Sequence, residues 1–189
     1  ADVVFLMATT GIFSTAALFQ SAWKQADKSE VGALAMAAGI TVPIGIWMMM
    51  QLDGLALRWL ASAVIGVTLV VVITGWRWQG KIGWPGRFAI GGAAGTVGGM
   101  TGLTGPVVIV FYLANVRDVS RVRANTIVFL AALDVVIVTN LVFGGFAGLN
   151  TLIVAMMLSL PYLITTLIGK ALFDPKLEKI YRVASYSVI

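Results

Sequence analysis

Residues 91–106 read GGAAGTVGGMTGLTGP, seven glycines and a proline inside an otherwise apolar stretch. Gly91, Gly95 and Gly99 recur every four residues, and Gly98 and Gly102 repeat that spacing. Small residues at this interval let two membrane helices approach until their backbones touch, so the part before residue 100 predicts a closely packed helix. Thr101–Pro106 does not fit that description. Thr-Gly-Leu-Thr-Gly-Pro joins glycines, free in their backbone torsions, to a proline suited to the first position of a helix. The pattern predicts a helix end and a fresh start, with Pro106 at the first position of the new helix. The nine residues that follow the break, PVVIVFYLA, would reach only ~14 Å as a helix, too short to cross a bilayer.

Composition decides what surrounds that break. Hydrophobic residues make up 59% of the 189 and charged residues 11%, with a mean hydropathy of +0.96. Soluble domains carry about 25% charged residues. The apolar runs 3–23, 31–50, 59–75, 124–143 and 150–169 are of the order of the ~20 residues that span a membrane as a helix, and a further run begins near 180. The expected fold is all-α: a polytopic membrane protein forming a single transmembrane domain over 1–189. Cysteine and histidine are both absent, which excludes disulfides, thiolate nucleophiles, imidazole bases and Cys/His metal sites. No cofactor, metal or catalytic residue is expected. The net charge of +5 is assigned to basic loops beside a membrane, not to nucleic acid.

Sliding the sequence by 124 residues aligns 1–65 with 125–189. Val4-Phe5-Leu6 meets Val128-Phe129-Leu130, Thr15 meets Thr139, and Ile40-Thr41 meets Ile164-Thr165. Ile44-Gly45 meets Ile168-Gly169, and Arg58 meets Arg182; in all 14 of 65 positions are identical. An internal repeat follows, with 1–75 as the end of the first unit, 76–87 as a cytoplasmic connection and 88–189 as the second unit. The glycine-rich segment lies directly before the aligned part of the second unit. Its counterpart belongs ahead of residue 1, and the run near 180 is shorter than its partner, so the repeat predicts a chain truncated at both ends.

The thirteen Lys and Arg residues test how 88–114 sits. If that segment crosses the membrane, Lys24, Lys28, Arg77, Lys81 and Arg87 share one side and the other eight lie opposite. If it dips in and returns, every basic residue except Arg58 falls on one face, a division of 12 to 1. The positive-inside rule favours the second arrangement. Each unit then comprises one re-entrant glycine-rich hairpin and three transmembrane helices, and an odd number of crossings inverts the second copy. Inverted repeats with broken helices recur among secondary transporters, with the site near the midplane. Loops 24–30, 76–87, 115–123 and 170–179 are expected in the cytoplasm, with Trp76, Trp78 and Trp84 in an interfacial belt.

A break at mid-bilayer leaves backbone N–H and C=O groups that hydrocarbon cannot satisfy, so it must line a cavity or be buried in protein. The new helix presents its positive end there, which suits a small anion. Thr101, Gly102, Thr104, Gly105 and Pro106 are the candidate binding residues.

The run G-x-x-x-G-x-x-x-G-x-x-G-x-x-G-P from Gly91 to Pro106, with Tyr112-Leu113 beyond it, resembles the second-half motif of the TauE/SafE family of sulfite and sulfonate exporters. The stretch LITTLIGKALFDPKLEKIYR, with Gly169 and Arg182, is similar to that family's C-terminal region. The resemblance covers most of 88–189, and 3–75 more weakly. It implies an exporter of sulfite, an organosulfonate or a related small anion in the bacterial inner membrane. It also implies a first glycine motif near the N-terminus, which this chain lacks. Sulfur is implied by the resemblance alone.

Asp134 lies near mid-depth in its span, where a carboxylate costs ~2.5–3.5 kcal/mol on insertion scales. It is the candidate for a coupling proton, with packing through a hydrogen bond as the plain alternative, and Asn140 is a candidate helper on the same helix. Thr10 and Ser14, with Thr9 and Thr15, either line the cavity or bond their own backbone. Asn125 and Thr126 are read as helix caps, and Pro43 and Pro161 as kinks. The expected activity is secondary transport of a small anion by alternating access. An anion channel and a non-transporting membrane partner subunit stand as alternatives. The partners expected are the anionic substrate and the lipid bilayer, with a homodimer left open and nucleic acid excluded.

Overall fold

The computed structural model describes residues 1–74, 83–108 and 119–172. The expectations for Trp76 and Trp78, for Arg77, Lys81 and Arg117, for the chain beyond Val108 in PVVIVFYLA and for 173–189 lie outside those residues. Six helices have defined bounds: α1 (Asp2–Gln25), α2 (Lys28–Gln51), α3 (Gly54–Thr74), α4 (Trp84–Thr101), α5 (Val119–Phe143) and α6 (Leu149–Leu172). A further helical turn occupies 105–108, and no strand occurs among the described residues. All but α4 contain a segment long and apolar enough to cross a membrane. The molecule is an all-helical membrane protein, as composition predicts.

The helices run further than hydropathy alone marks. Only Ala26 and Asp27 separate α1 from α2, in place of the loop expected over 24–30, and only Leu52 and Asp53 separate α2 from α3. Asp27 explains the first sharp turn: its carboxylate accepts from the Ser29 and Glu30 amides at 3.1 and 3.2 Å, capping α2. Asp53 Oδ1 likewise accepts from the Ala56 amide at 2.8 Å. Helix α4 begins at Trp84, inside the stretch expected as connection, with Pro85 in its first turn. Asn125 and Thr126 do not cap α5, which starts six residues earlier at Val119.

Contacts between helices fix their directions. Gly11 faces Asp134 and the Asp27 amide donates to Asn125 Oδ1 at 2.7 Å, so α1 and α5 are antiparallel. Thr151 donates to Asp2 at 2.9 Å and Thr166 to Ser14 at 3.3 Å, so α6 runs parallel to α1. Helix α4 runs parallel to α2 in the closest packing of the fold. Gly91, Gly95 and Gly99 lie on the main chain of Leu34, Ala38 and Val42, where a methyl group would meet backbone atoms. Thr41 ties the pair by donating to the Gly92 carbonyl at 2.9 Å. This register sets Thr101 level with Ile44. Helix α2 continues to Gln51, roughly 10 Å further at 1.5 Å per residue. The core between these helices holds Phe5, Leu34, Val42, Phe129, Leu133, Ile137 and Leu141. By contrast α3 buries no residue, as a helix facing acyl chains can.

Candidate functional site

The glycine-rich helix ends where the sequence places the break. Gly102 adopts a left-handed conformation, φ 76° and ψ −3°, and its amide still donates to the Gly98 carbonyl at 2.8 Å. A left-handed residue just past a helix end is the usual glycine stop. Thr101 completes that stop. Its hydroxyl donates to the Val97 carbonyl at 2.8 Å and accepts from the Leu103 amide at 3.1 Å. The Thr104 amide donates to the Gly102 carbonyl at 3.1 Å, and helix resumes at residue 105. Pro106 therefore stands one residue inside the new turn, not at its first position. There its missing N–H costs nothing, because the opening amides of a helix have no intrahelical partner. Val108, at the end of the described turn, is fully buried.

The break is held between α1 and α5. A methyl on Gly102 would stand 3.2 Å from Met7 Sδ and 3.4 Å from the Val4 Cα, and one on Gly98 would stand 3.2 Å from the Thr104 methyl group. Thr104 points at α5, where its side chain lies beside Asp134. The Asp134 carboxylate is 5% exposed, and Gly11 of α1 lies directly against its Oδ2, leaving no room for a Cβ. Two elements thus close on this one carboxylate of α5: the break through Thr104 and α1 through the bare backbone at Gly11.

The structure brings Thr104 and Asp134 together, with Gly102, Gly105 and Pro106 beside them in the chain. The other expected residues are bonded elsewhere. Thr101 is occupied by the helix stop. The Thr10 hydroxyl donates to the Leu6 and Met7 carbonyls at 2.9 and 3.0 Å, and the Asn140 amide donates to the Val136 carbonyl at 2.8 Å. Ser14 accepts from Thr166 of α6, away from the break. Thr15 bonds its own helix at Gly11 and Ile12, and the buried Thr9 Oγ1 has no hydrogen-bond partner among the described residues. Gly11 and Met7 carry no signal that sequence reading can use: one is a lone glycine in a span rich in small residues, the other one of eight methionines.

A second buried polar group was also missed. Glu30, in the stretch read as loop, has 0% exposure. It accepts from Asn125 Nδ2 at 3.1 Å and lies 3.6 Å from the Arg87 guanidinium, which also sits over the Trp84 ring. Arg87 belongs to the first turn of α4 and Asn125 to the early part of α5, so both ends of the glycine-rich segment meet at one carboxylate of α2. The signal available was an acidic residue three positions after a capping aspartate, the spacing of a helix start.

Among the described residues no group of three or more metal-ligating side chains exists. The arrangement offers instead a hydroxyl, the start of a helix and a buried acid in one place. The family model described as "Sulfite exporter TauE/SafE" covers residues 2–189. No match was found among curated proteins or among solved structures.

Proposed function

This chain belongs to the sulfite exporter TauE/SafE family, and from that premise we propose that it is a secondary transporter, an exporter of a small anion such as sulfite or an organosulfonate, working by alternating access. The observation that carries the reading is the placing of Thr104 of the break beside the buried Asp134. A threonine hydroxyl has one hydrogen to donate, and an ionised carboxylate only accepts. While Asp134 is charged it takes that hydrogen and repels an anion. Once protonated, Asp134 is itself a donor, and Thr104 is released to an anion at the start of the 105–108 turn. Proton and anion then enter the site together, which is coupling in its simplest form. Thr104, Gly105 and Pro106 form the site, and Gly102 shapes it. Thr10, Ser14, Thr101 and Asn140 join only if their present bonds are exchanged during transport.

In this reading residues 88–114 form a re-entrant hairpin. Its support is the meeting of Arg87 and Asn125 at Glu30, which puts the two ends of the segment on one side of the molecule. The inverted repeat draws support from the antiparallel crossing of α1 and α5. The contact between Asp27 and Asn125 is answered by the one between Thr151 and Asp2, two positions that the 124-residue shift assigns to Asp27 and Thr126. The side bearing Asp27 and Trp84 is then cytoplasmic, in a bacterial inner membrane.

The test is anion flux in proteoliposomes. Thr104→Ala and Asp134→Asn are each expected to lower sulfite or sulfonate flux at least tenfold, and Gly105→Leu to abolish it. Unchanged flux in Thr104→Ala would remove the break from the site. Single-channel currents without counter-gradient exchange would make the protein a channel.

A further inference from the structure

Close contacts sort five of the helices into two groups. Helices α2 and α4 lie backbone on backbone at Gly91, Gly95 and Gly99, and are tied further by Thr41 to Gly92 and by Glu30 to Arg87. Contact of this kind leaves no side chain to rearrange, so the pair is stiff. Helix α1 holds α5 through Gly11 on Asp134, and α6 through Asp2 and Ser14. Between α1 and α2 the chain passes from one group to the other in two residues, Ala26 and Asp27. Both are extended, at φ −71°, ψ 143° and φ −77°, ψ 97°. So short a link keeps the two groups together at this end, and residues at the ends of elements are those that absorb a hinge rotation.

Asn125 of α5 fastens that link. Its Oδ1 accepts from the Asp27 amide at 2.7 Å and its Nδ2 donates to Glu30 Oε1 at 3.1 Å, with the side chain fully buried. Glu30 in turn meets Arg87, so one amide holds the turn, α2 and, through Glu30, α4. Away from this point the hold on α2 loosens. Glu30, Ala33 and Ala37 are buried on one stripe of the helix. The continuation of that stripe, Ile40, Ile44 and Met48, is exposed, at 69, 49 and 36%. Hydrogen bonds are directional and fix a point, whereas apolar contact has no preferred direction and lets surfaces shift.

We infer that Asn125 is a positioning residue, the pivot on which α2 and α4 rock as one body against α1, α5 and α6, with Ala26 and Asp27 as the hinge. Asp134 stands nine residues beyond Asn125 on α5, an arm of ~14 Å. Thr104 follows the end of α4 by three residues and is carried with it. A turn of roughly 10° about Asn125 therefore moves Thr104 about 2 Å relative to Asp134. That is enough to part the two side chains while each group keeps its internal packing. The inference rests on the alternating-access reading above and not on the identity of the anion.

Distances between paired spin labels test this in the full-length protein in proteoliposomes, without anion, with sodium sulfite, and in Asp134→Asn. Three pairs are needed, all at exposed positions. Met50→Cys with Val142→Cys reports on α2 against α5 far from Asn125, Ser29→Cys with Arg121→Cys on the same helices beside it, and Met36→Cys with Phe88→Cys on α2 against α4. The first distance is expected to change by about 4 Å among the three conditions, for an arm of ~25 Å, and the other two by less than ~1 Å. Asn125→Ala is expected to broaden the Ser29–Arg121 distances and lower flux at least tenfold while the Met36–Phe88 distance holds. A Met50–Val142 distance that is the same in all three conditions would overturn the inference. So would equal shifts at both ends of α2, a shift between Met36 and Phe88, or an unbroadened Ser29–Arg121 distance in Asn125→Ala. Sulfite flux in the parent reports on the transport reading whichever distances move.

Discussion

Asp134 owes its surroundings to a residue with no side chain. Because Gly11 presents bare backbone, the carboxylate can lie between α1 and α5 and still reach Thr104. Any Cβ at position 11 would occupy the place of Oδ2. Gly11→Ala is therefore expected to push the carboxylate off Thr104 and cut anion flux at least tenfold. Overpacking of this kind costs about 1–3 kcal/mol, so the unfolding temperature in detergent should fall only moderately. Flux near the parental level would mean that the contact with Thr104 is not needed. Thr101 shows the opposite case. Its hydroxyl looked like a ligand and is spent on ending the helix, a use that Ser and Thr find wherever backbone groups lie within reach.

At the scale of elements, α2 and α4 form a pair whose closeness rests on which glycine faces which backbone. Gly91, Gly95 and Gly99 meet main-chain atoms of α2, while a methyl on Gly92 would stand 3.5 Å from the Thr41 methyl group, an ordinary contact. Gly91→Val is expected to drive the helices apart, at the upper end of the ~1–3 kcal/mol range for overpacking, since backbone cannot step aside. Gly92→Ala should leave stability and flux within error of the parent. Thermal unfolding of both variants by a fluorescent size-exclusion assay checks the contrast, and equal losses would show that the register is wrong. The alternation of essential and tolerant glycines follows from the one direction in which α4 meets α2.

For the whole molecule, the question is on which side each chain segment emerges. Residues 1–189 contain no cysteine, so single cysteines introduced among them stand out. Gly83→Cys and Arg121→Cys, at exposed positions before α4 and in the first turn of α5, are expected to react with a membrane-impermeant maleimide from the same side. Asp53→Cys should react from the opposite side. Labelling of positions 83 and 121 from opposite sides would show a crossing in place of the proposed hairpin and overturn the proposed inverted repeat. The Glu30 cluster is the physical device behind this expectation. A carboxylate fully out of water needs its partners, and here the partners come from the two ends of one segment.

Hydropathy and composition alone determined that the chain is a bundle of membrane helices, because backbone in lipid has no other open-ended way to satisfy its hydrogen bonds. The spans, the glycine stop at Gly102 and the fresh start before Pro106 were all legible, since propensity, spacing and turn chemistry are local. The positions of Thr10, Ser14 and Asn140 relative to the break were not. Neither was Glu30, which the local sequence assigned to a loop. These depend on how each helix is rotated and which neighbour it meets, and on membrane helices the lipid-facing and protein-facing sides are almost equally apolar. The sequence supplied a threonine at the break and an acid at mid-span, thirty positions apart. Only the tertiary structure, by crossing α1 over α5 at Gly11, brought them side by side.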